Sequence, residues 1–364
     1  MALDPHQAVM LIPSLEPDER LPAYVEALLS RGFAHVVIVD DGSSEKYQPI
    51  FSRMAEMAGC TVLHHEVNRG KGAALKTGYA HIASAFPEAC GVITADADGQ
   101  HAVEDCWRLA EALCQGKDEL YLGSRDFSLP HVPKKSRYGN KITSCVFKVL
   151  YGQWLPDTQT GLRAFPAARL EFMQQVTGDR FEYEMNVLIA CARAGIAMVP
   201  VTIETIYEND NSGSHFHPFR DSYRIYKVLL GNFIMFMGAS IVSFLIDNGV
   251  FALMENLVLV NMGDGREILS TLIARVVSAP CNFLLNKNFV FKAKGNSKTF
   301  IRYVILAVGL LLASAVGVEL IVKSLNFAPA LASIVKLVVD TLLYFVSYRI
   351  QHRWVFPEED KPHA

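Results

Sequence analysis

Beyond about residue 228 the chain is dominated by four apolar stretches, at about 229–256, 267–286, 301–323 and 328–347. Each is close to the roughly 20 residues a helix needs to cross the hydrocarbon of a bilayer. Buried helices of a soluble domain are a poor alternative, because runs such as Tyr303-Val-Ile-Leu-Ala-Val-Gly-Leu-Leu-Leu-Ala313 are almost purely apolar. Residues 1 to about 225 read instead as mixed and polar, so the 51% hydrophobic content is concentrated in the second half. The expected organisation is a soluble domain over 1–227, with a juxtamembrane segment at about 215–228, an all-α four-helix membrane domain over 228–356 and a tail over 357–364. Arg220, Arg224 and Lys227 precede the first stretch; Lys292, Lys294, Lys298 and Arg302 separate the second from the third; Arg349 and Arg353 follow the fourth. The loop at Met262–Glu267 is not basic overall, so the positive-inside rule puts the soluble domain and both termini in the cytoplasm. Met1-Ala-Leu-Asp-Pro5 has no basic region leading into an apolar core, and no signal peptide is expected. A net charge of −3 offers no electrostatic case for nucleic acid. The seven cysteines are scattered without a Cys-x-x-Cys pair, which fits free thiols in a reducing compartment rather than a structural zinc.

In the soluble half, apolar runs at Ala8–Pro13, His35–Asp40, Thr61–His64, Gly91–Ala95 and Glu119–Gly123 read as strands. They alternate with helical spacing over Asp18–Ser30, Gly72–Ala85 and Glu104–Gln115. This alternation predicts an α/β, Rossmann-like domain with a parallel sheet and helices on both faces. In such sheets ligands bind beyond the carboxyl ends of the strands. Three polar clusters fall there: Asp40-Asp41-Gly42-Ser43, Asn68-Arg69-Gly70-Lys71-Gly72 and Asp96-Ala97-Asp98-Gly99-Gln100-His101.

The third cluster carries the most chemistry. Asp96 and Asp98 are offset by two residues at a strand end, which turns both carboxylates to one side. They repel each other unless a hard cation lies between them. Mg²⁺ or Mn²⁺ held this way takes its remaining ligands from water and substrate phosphates. The competing reading is a plain turn, since Asp and Gly are turn residues. Better-known motifs do not fit. Gly70-Lys71-Gly72 lacks the upstream glycine and the following Ser or Thr of a P-loop, and no Gly-x-Gly-x-x-Gly follows the first strand. A calcium loop would need glycine where His101 stands.

The ordered segments Ile12-Pro13, Val39-Asp40-Asp41-Gly42-Ser43-Ser44, Asn68-Arg69-Gly70-Lys71-Gly72-Ala73 and Asp96–His101 resemble family 2 glycosyltransferases with the GT-A fold. Within that family they are similar to the dolichol- and polyprenyl-phosphate glycosyltransferases. Gly123-Ser-Arg125, Ser136-Arg137, Asp157-Thr-Gln-Thr-Gly-Leu-Arg163, Phe181-Glu-Tyr-Glu-Met185 and Ser214–Ser222 continue the likeness, which covers most of 8–227. Glu16-Pro17 departs from it, where the family usually has Asn-Glu. The resemblance implies a donor site at Pro13, Glu16, Asp41, Lys71 and Asp96. It implies a metal held by Asp96, Asp98 and Gln100, with Asp98 catalytic, and an acceptor phosphate on Arg125 and Arg137. Arginine suits the last role because its fork binds phosphate oxygens in pairs. The two arginines flank Ser128-Leu-Pro-His-Val-Pro133, a stretch placed as a lid would be. Asp157 is expected to act catalytically as a positioning or electrostatic residue near the reacting centre, with general base as the alternative.

The implied reaction is an inverting, Mg²⁺- or Mn²⁺-dependent transfer of one sugar from a UDP- or GDP-linked donor to undecaprenyl or dolichyl phosphate. It would take place at the plasma membrane of a prokaryote and serve cell-envelope glycosylation. Homo-oligomerisation stays open. A processive polysaccharide synthase is the alternative enzyme. Such enzymes carry Gln-x-x-Arg-Trp in the cytoplasmic domain, whereas Gln351-His-Arg-Trp354 is one residue too short and follows the last apolar stretch. A lipid-linked-sugar flippase is the alternative outside enzymology. The membrane half resembles the four-span GtrA-like domain, with an internal repeat between Asn282–Phe291 and Ser347–Phe356. Asp247, Arg275, Glu319 and Asp340 fall within the apolar stretches, and an Asp247–Arg275 or Asp340–Arg275 pair would lower the desolvation penalty. Gly309, Ala313 and Gly317 form a small-residue stripe expected to pack helices.

Overall fold

A computed structural model describes residues 4–130, 132–204, 218–293, 296–324 and 331–356. Lys294, the 357–364 tail, the first residues of the fourth apolar stretch and the side chains of the Ser214–Ser222 motif lie outside the described residues. The chain divides into two units, Met1–Leu229 and Leu230–Ala364.

In the first unit the strands are β1 (Ala8–Ser14), β2 (His35–Asp40), β3 (Cys60–His64), β4 (Gly91–Thr94), β5 (Glu119–Arg125), β6 (Arg163–Pro166) and β7 (Ala197–Ile203). The helices are α1 (Arg20–Arg31), α2 (Gln48–Ala55), α3 (Lys71–Ala85), α4 (Val103–Leu113), α5 (Lys134–Tyr151), α6 (Leu170–Gln175) and α7 (Glu182–Ala194). One sheet runs β3-β2-β1-β4-β6-β5-β7. β1 and β4 are buried along their whole length, as strands covered on both faces must be. α1 buries Leu21, Tyr24, Val25 and Leu28 on one stripe, the spacing of an amphipathic helix.

The sheet is mixed rather than wholly parallel. β6 lies antiparallel between β4 and β5, with Thr94 opposite Arg163 and Leu122 also opposite Arg163. Neither β6 nor β7 is among the strands read from the apolar runs. Only four residues long and ending in Pro166, β6 has no alternation to read. Its direction has a consequence for the site. A reversed strand begins at the carboxyl edge of its neighbours, so the Asp157–Leu162 segment enters the sheet where β4 and β5 deliver their last residues.

The second unit is helical. α8 (Pro218–Leu253) continues into a π-helical turn over Met254–Val258; α9 (Arg266–Leu285), α10 (Ser297–Ser324) and α11 (Ala332–Ile350) follow. Among the described residues three segments, Tyr223–Val258, Arg266–Val290 and Ser297–Ser324, are long and apolar enough to cross a membrane. α11, at the place of the expected fourth crossing, has 19 residues and carries Lys336 and Asp340.

The internal repeat has a structural counterpart. α9 and α11 both end in π-helical turns, Asn286–Val290 and Gln351–Val355, at corresponding positions. Each turn closes with an amide reaching five residues back, Phe291 to Asn286 and Phe356 to Gln351, both at 2.8 Å. Corresponding residues meet across the unit. Asn286 Nδ2 donates to Gln351 Oε1 at 3.1 Å, and the Phe291 and Phe356 rings stack at 5.1 Å. Asn286 donates to Asn282, and in parallel Gln351 donates to Ser347.

Of the two intramembrane pairings expected, the Asp247–Arg275 pair forms, at 3.5 Å, with Ser278 Oγ also donating to Asp247 at 2.7 Å. Asp340 is held instead by Ser314 and Lys336, at 2.5 and 2.7 Å. A Cβ on Gly317 would touch Val339 of α11 at 3.6 Å, the close helix approach that a small residue permits.

Candidate active site

The carboxyl edge of β4 holds the densest group of charges. Asp96 leaves the strand two residues after Thr94, and its Oδ1 lies 2.6 Å from Lys71 Nζ. The same ammonium is 2.9 Å from Glu184 Oε1, so Lys71 bridges two carboxylates. Asp96 Oδ2 faces His101 Nε2 at 3.4 Å. His101 is buried, and neither of its ring nitrogens has a hydrogen-bond partner. Asp98 Oδ1 accepts the Gln100 amide at 3.0 Å, closing a turn at Gly99 that leaves both aspartates half-buried at one edge.

Close packing fixes these side chains. Thr94 Oγ1 donates to the Gly161 carbonyl at 2.9 Å, which holds the segment before β6 against the end of β4. A Cβ on Gly161 would run into the Asp96 carboxylate, so any side chain there displaces Asp96. Arg163, buried, donates from Nε to Thr160 O at 3.0 Å and from NH1 to Glu184 O at 2.8 Å. It thereby ties β6 to the first turn of α7. Lys71 opens α3 directly after Gly70, whose φ of 106° suits glycine alone. The Ala73 amide donates to the Asp179 carbonyl at 3.0 Å, so the starts of α3 and α7 are fastened together.

The charges act on one another. Burial opposes ionisation of Asp96, but Lys71 and then His101 outweigh it and hold the carboxyl far below the usual carboxylate range. Burial likewise opposes the charge of Lys71, and Asp96 with Glu184 overcomes it, so the ammonium titrates above the ordinary lysine range. Asp98 moves the other way: burial, and then the negative charge of Asp96, push its carboxyl up. Among the described residues no three His, Cys, Asp or Glu side chains converge as a complete metal cage. Asp96 and Asp98 do supply hard oxygen donors at one edge, with Gln100 in the same turn. That incomplete set fits Mg²⁺ or Mn²⁺ whose coordination substrate phosphates complete, and the repulsion borne by Asp98 is what a cation would relieve.

The other expected site residues lie around this group. Asp41 is buried. Its Oδ1 accepts from His65 Nδ1 at 2.7 Å and the Arg69 amide at 2.9 Å, and its Oδ2 accepts from the Gly70 amide at 2.7 Å. It therefore holds the loop that delivers Lys71. Pro13 is buried within β1, opposite Val39 and past the last residue paired with β4, where the missing N–H breaks no ladder bond. Glu16 follows with φ 49°; its amide donates to Ser43 Oγ at 2.8 Å, and its carboxylate accepts from Ser44 Oγ at 3.4 Å.

Arg125, the last residue of β5, is gripped side-on by Asp157: Nε to Oδ2 at 2.7 Å and NH2 to Oδ1 at 3.2 Å. Asp157 is fully buried, and its Oδ1 also accepts the Gln159 amide at 2.9 Å. Arg137, in the first turn of α5, donates from NH2 to Leu129 O at 2.9 Å, while its buried Nε has no hydrogen-bond partner. Glu184 and His101 belong to the charge cluster although the motifs containing them suggest no role for either. Phe181–Met185 carries no signal for Glu184, because Glu182 and Glu184 both fall in the first turn of α7, where the helix N-terminus favours acidic residues whatever they meet.

Residues 10–180 match glycosyl transferase family 2, and residues 235–356 match the GtrA/DPMS transmembrane domain. An uncharacterised protein of Methanocaldococcus jannaschii is 30% identical over 202 residues, covering 54% of this chain and 81% of that one. The UDP-N-acetylglucosamine–dolichyl-phosphate N-acetylglucosaminyltransferase of Methanococcus voltae is 27% identical over 216 residues, covering 54% of this chain and 85% of its own. Glycosyltransferase AglJ of Haloferax volcanii is 28% identical over 229 residues, covering 62% and 71%.

Proposed function

The chain belongs to glycosyl transferase family 2, with a GtrA/DPMS transmembrane domain following the catalytic one, and on that premise we propose that it moves a single sugar from a UDP- or GDP-linked donor to a membrane polyprenyl phosphate, with inversion. The observation that carries the reading is the bridge from Lys71 at the start of α3 to Asp96 at the end of β4. It brings a cation and a carboxylate pair to one sheet edge, which is what a nucleoside diphosphate with its counter-cation requires. The Methanococcus voltae relative, by its name, acts on a dolichyl phosphate, which supports the acceptor class.

Asp96, Asp98 and Gln100 would hold the divalent cation, which supplies charge neutralisation on the leaving nucleoside diphosphate. Lys71 and the amides of Lys71 and Gly72 at the start of α3 would bind the diphosphate. Asp41 would act through the loop it holds rather than by touching the base. Arg125 and Arg137 would bind the acceptor phosphate, with Asp157 keeping the Arg125 fork in place. A phosphate monoester with its second pKa near 6 is largely dianionic at neutral pH, so it attacks without a general base. Attack opposite the leaving diphosphate in one displacement turns an α-linked donor into a β-linked product. Basic residues beside the helices of the membrane unit, Lys292 and Arg302 among them, support a cytoplasmic catalytic domain, with α11 as a fourth crossing.

The test uses the full chain in detergent with undecaprenyl phosphate and Mg²⁺ or Mn²⁺. UDP-glucose, UDP-N-acetylglucosamine, UDP-galactose and GDP-mannose are offered separately, and lipid products are read by mass spectrometry. One donor giving a single-sugar lipid phosphate supports the proposal and names the sugar. A polymer refutes it in favour of the processive reading.

A further inference from the structure

Lys71 is an odd residue to find on a metal-binding carboxylate. Its ammonium lies 2.6 Å from Asp96 Oδ1, where it takes up a lone-pair position on a carboxylate oxygen expected to bind a cation. It is largely enclosed, with its side chain 16% exposed, so water screens the contact less than at an open surface. A second carboxylate, Glu184 at 2.9 Å, would be redundant if one ion pair were all that mattered. Three features keep Glu184 in place independently of Lys71. It sits in the first turn of α7, its carbonyl is held by Arg163, and the start of α7 is bonded to α3 through Asp179. The lysine therefore has two anionic partners, and only one of them belongs to the expected metal site.

Resting on the proposed function, we infer that Lys71 is a resident counter-cation that occupies the Asp96 carboxylate until donor arrives, and that Glu184 is the partner that retains Lys71 when the metal takes Asp96. The nucleoside diphosphate then provides the drive. Its oxygens attract the ammonium away from Asp96 while supplying the cation with the ligands that this edge lacks. Metal and nucleotide consequently bind as a pair, and the metal alone binds poorly, because it must displace an ammonium already in place. Glu184 lowers that barrier by keeping the displaced lysine neutralised. In this account Glu184 is a positioning residue that acts through Lys71 and touches neither substrate nor metal.

The experiment measures Mn²⁺ binding to the full chain in detergent by electron paramagnetic resonance, without nucleotide and then with UDP or GDP. The wild type should bind Mn²⁺ at least tenfold more tightly with one of the nucleotides. Lys71→Met should bind Mn²⁺ alone at least tenfold more tightly than wild type and lose most of the nucleotide effect. Glu184→Gln should shift Mn²⁺ affinity in the opposite direction, because Lys71 is then left to Asp96 alone. A residue that merely supported the fold would not move metal affinity in opposite directions in the two variants. Lys71→Met strands two half-buried carboxylates, so its folding is checked by its melting curve. The charge-balanced Lys71→Met/Glu184→Gln protein covers that failure and should behave as Lys71→Met does. Unchanged or weaker Mn²⁺ binding in the double variant, with nucleotide-dependent binding intact in the wild type, overturns the inference alone. No Mn²⁺ binding in any protein with either nucleotide overturns it together with the metal assignment.

Discussion

The Asp157–Arg125 pair makes a prediction that separates two roles for the same carboxylate. Asp157 is fully buried and meets Arg125 through both oxygens, at 2.7 and 3.2 Å. Asp157→Asn keeps the shape and one acceptor oxygen but replaces the second with an amide that cannot accept. The variant loses one charge-assisted hydrogen bond, worth about 1.5–3 kcal/mol. If Asp157 only aims Arg125 at the acceptor phosphate, that loss appears as acceptor binding. At 1.4 kcal/mol per decade it raises KM for undecaprenyl phosphate by about 10- to 100-fold and leaves kcat within about threefold. The assay is an acceptor titration at saturating donor with the full chain in detergent. A general base would give the reverse pattern, a kcat loss of about 10²–10⁴ at unchanged acceptor KM, and that result would refute the positioning role. Stability supplies a second check. Arg125→Ala leaves a buried carboxylate with little beyond backbone amides. It should destabilise by about 2–4 kcal/mol, slightly under the usual figure for a broken buried pair because Arg125 is 27% exposed.

Single contacts elsewhere set further expectations. Asp98→Asn should abolish transfer with a melting point no lower than wild type, since it removes a carboxylate that burial and Asp96 disfavour; full activity in that variant would sink its role as a metal ligand. Gly161→Ala forces a methyl against the Asp96 carboxylate and should lower stability by about 1–3 kcal/mol in a urea titration and reduce transfer sharply. The Cys90, Cys106 and Cys191 thiols are pushed up to about 12, chiefly by burial, whereas Cys145 is exposed. At pH 8 a thiol reagent should therefore modify Cys145 first and those three only on unfolding, because the thiolate is the reacting form. In the membrane unit, Asn286→Leu should destabilise more than Asn286→Leu/Gln351→Leu, by about 1 kcal/mol in detergent unfolding, because the single variant strands the Gln351 side-chain oxygen.

The catalytic half was legible in proportion to how local its signals are. β1 to β5 announce themselves as apolar runs ending in polar residues, and a polar residue just past a buried strand must lie at the sheet edge. That reasoning brings Asp41, Lys71 and Asp96 to one edge without any structure. It fails for β6, whose four residues carry no periodicity and whose direction is set by pairing with β4 on one side and β5 on the other. It fails equally for Glu184. Nothing in the spacing of Phe181–Met185 says that it meets Lys71, far away in the sequence. The parallel-sheet expectation and the unassigned Glu184 share a cause, because both depend on long-range pairing that short-range pattern cannot encode. The same limit applies to the partners of Asp41, whose place at the sheet edge is legible while its contacts are not. Its two oxygens accept from the 65–70 loop, a fact that depends on where that loop returns.

The membrane half shows the converse. There the chemistry is uniform and the repeat is what carries information. Two segments that resemble each other only in a few positions both end in a π-helical turn, as α8 also does, and they meet at the residues that correspond. A π turn inserts one residue into the helical count, which rotates the residues beyond it by about 100° and gives up regular backbone bonding. The residues just past the two turns, Phe291 and Phe356, stack at 5.1 Å, while the first residues of the turns, Asn286 and Gln351, meet in the interior, where water is scarce and an amide's natural partner is another amide. Copying a two-helix unit makes such a pairing easy to reach, because a residue that turns inward in one copy turns inward in the other. The sequence shows that the segments are alike; the contact between them supplies a physical reason for the likeness.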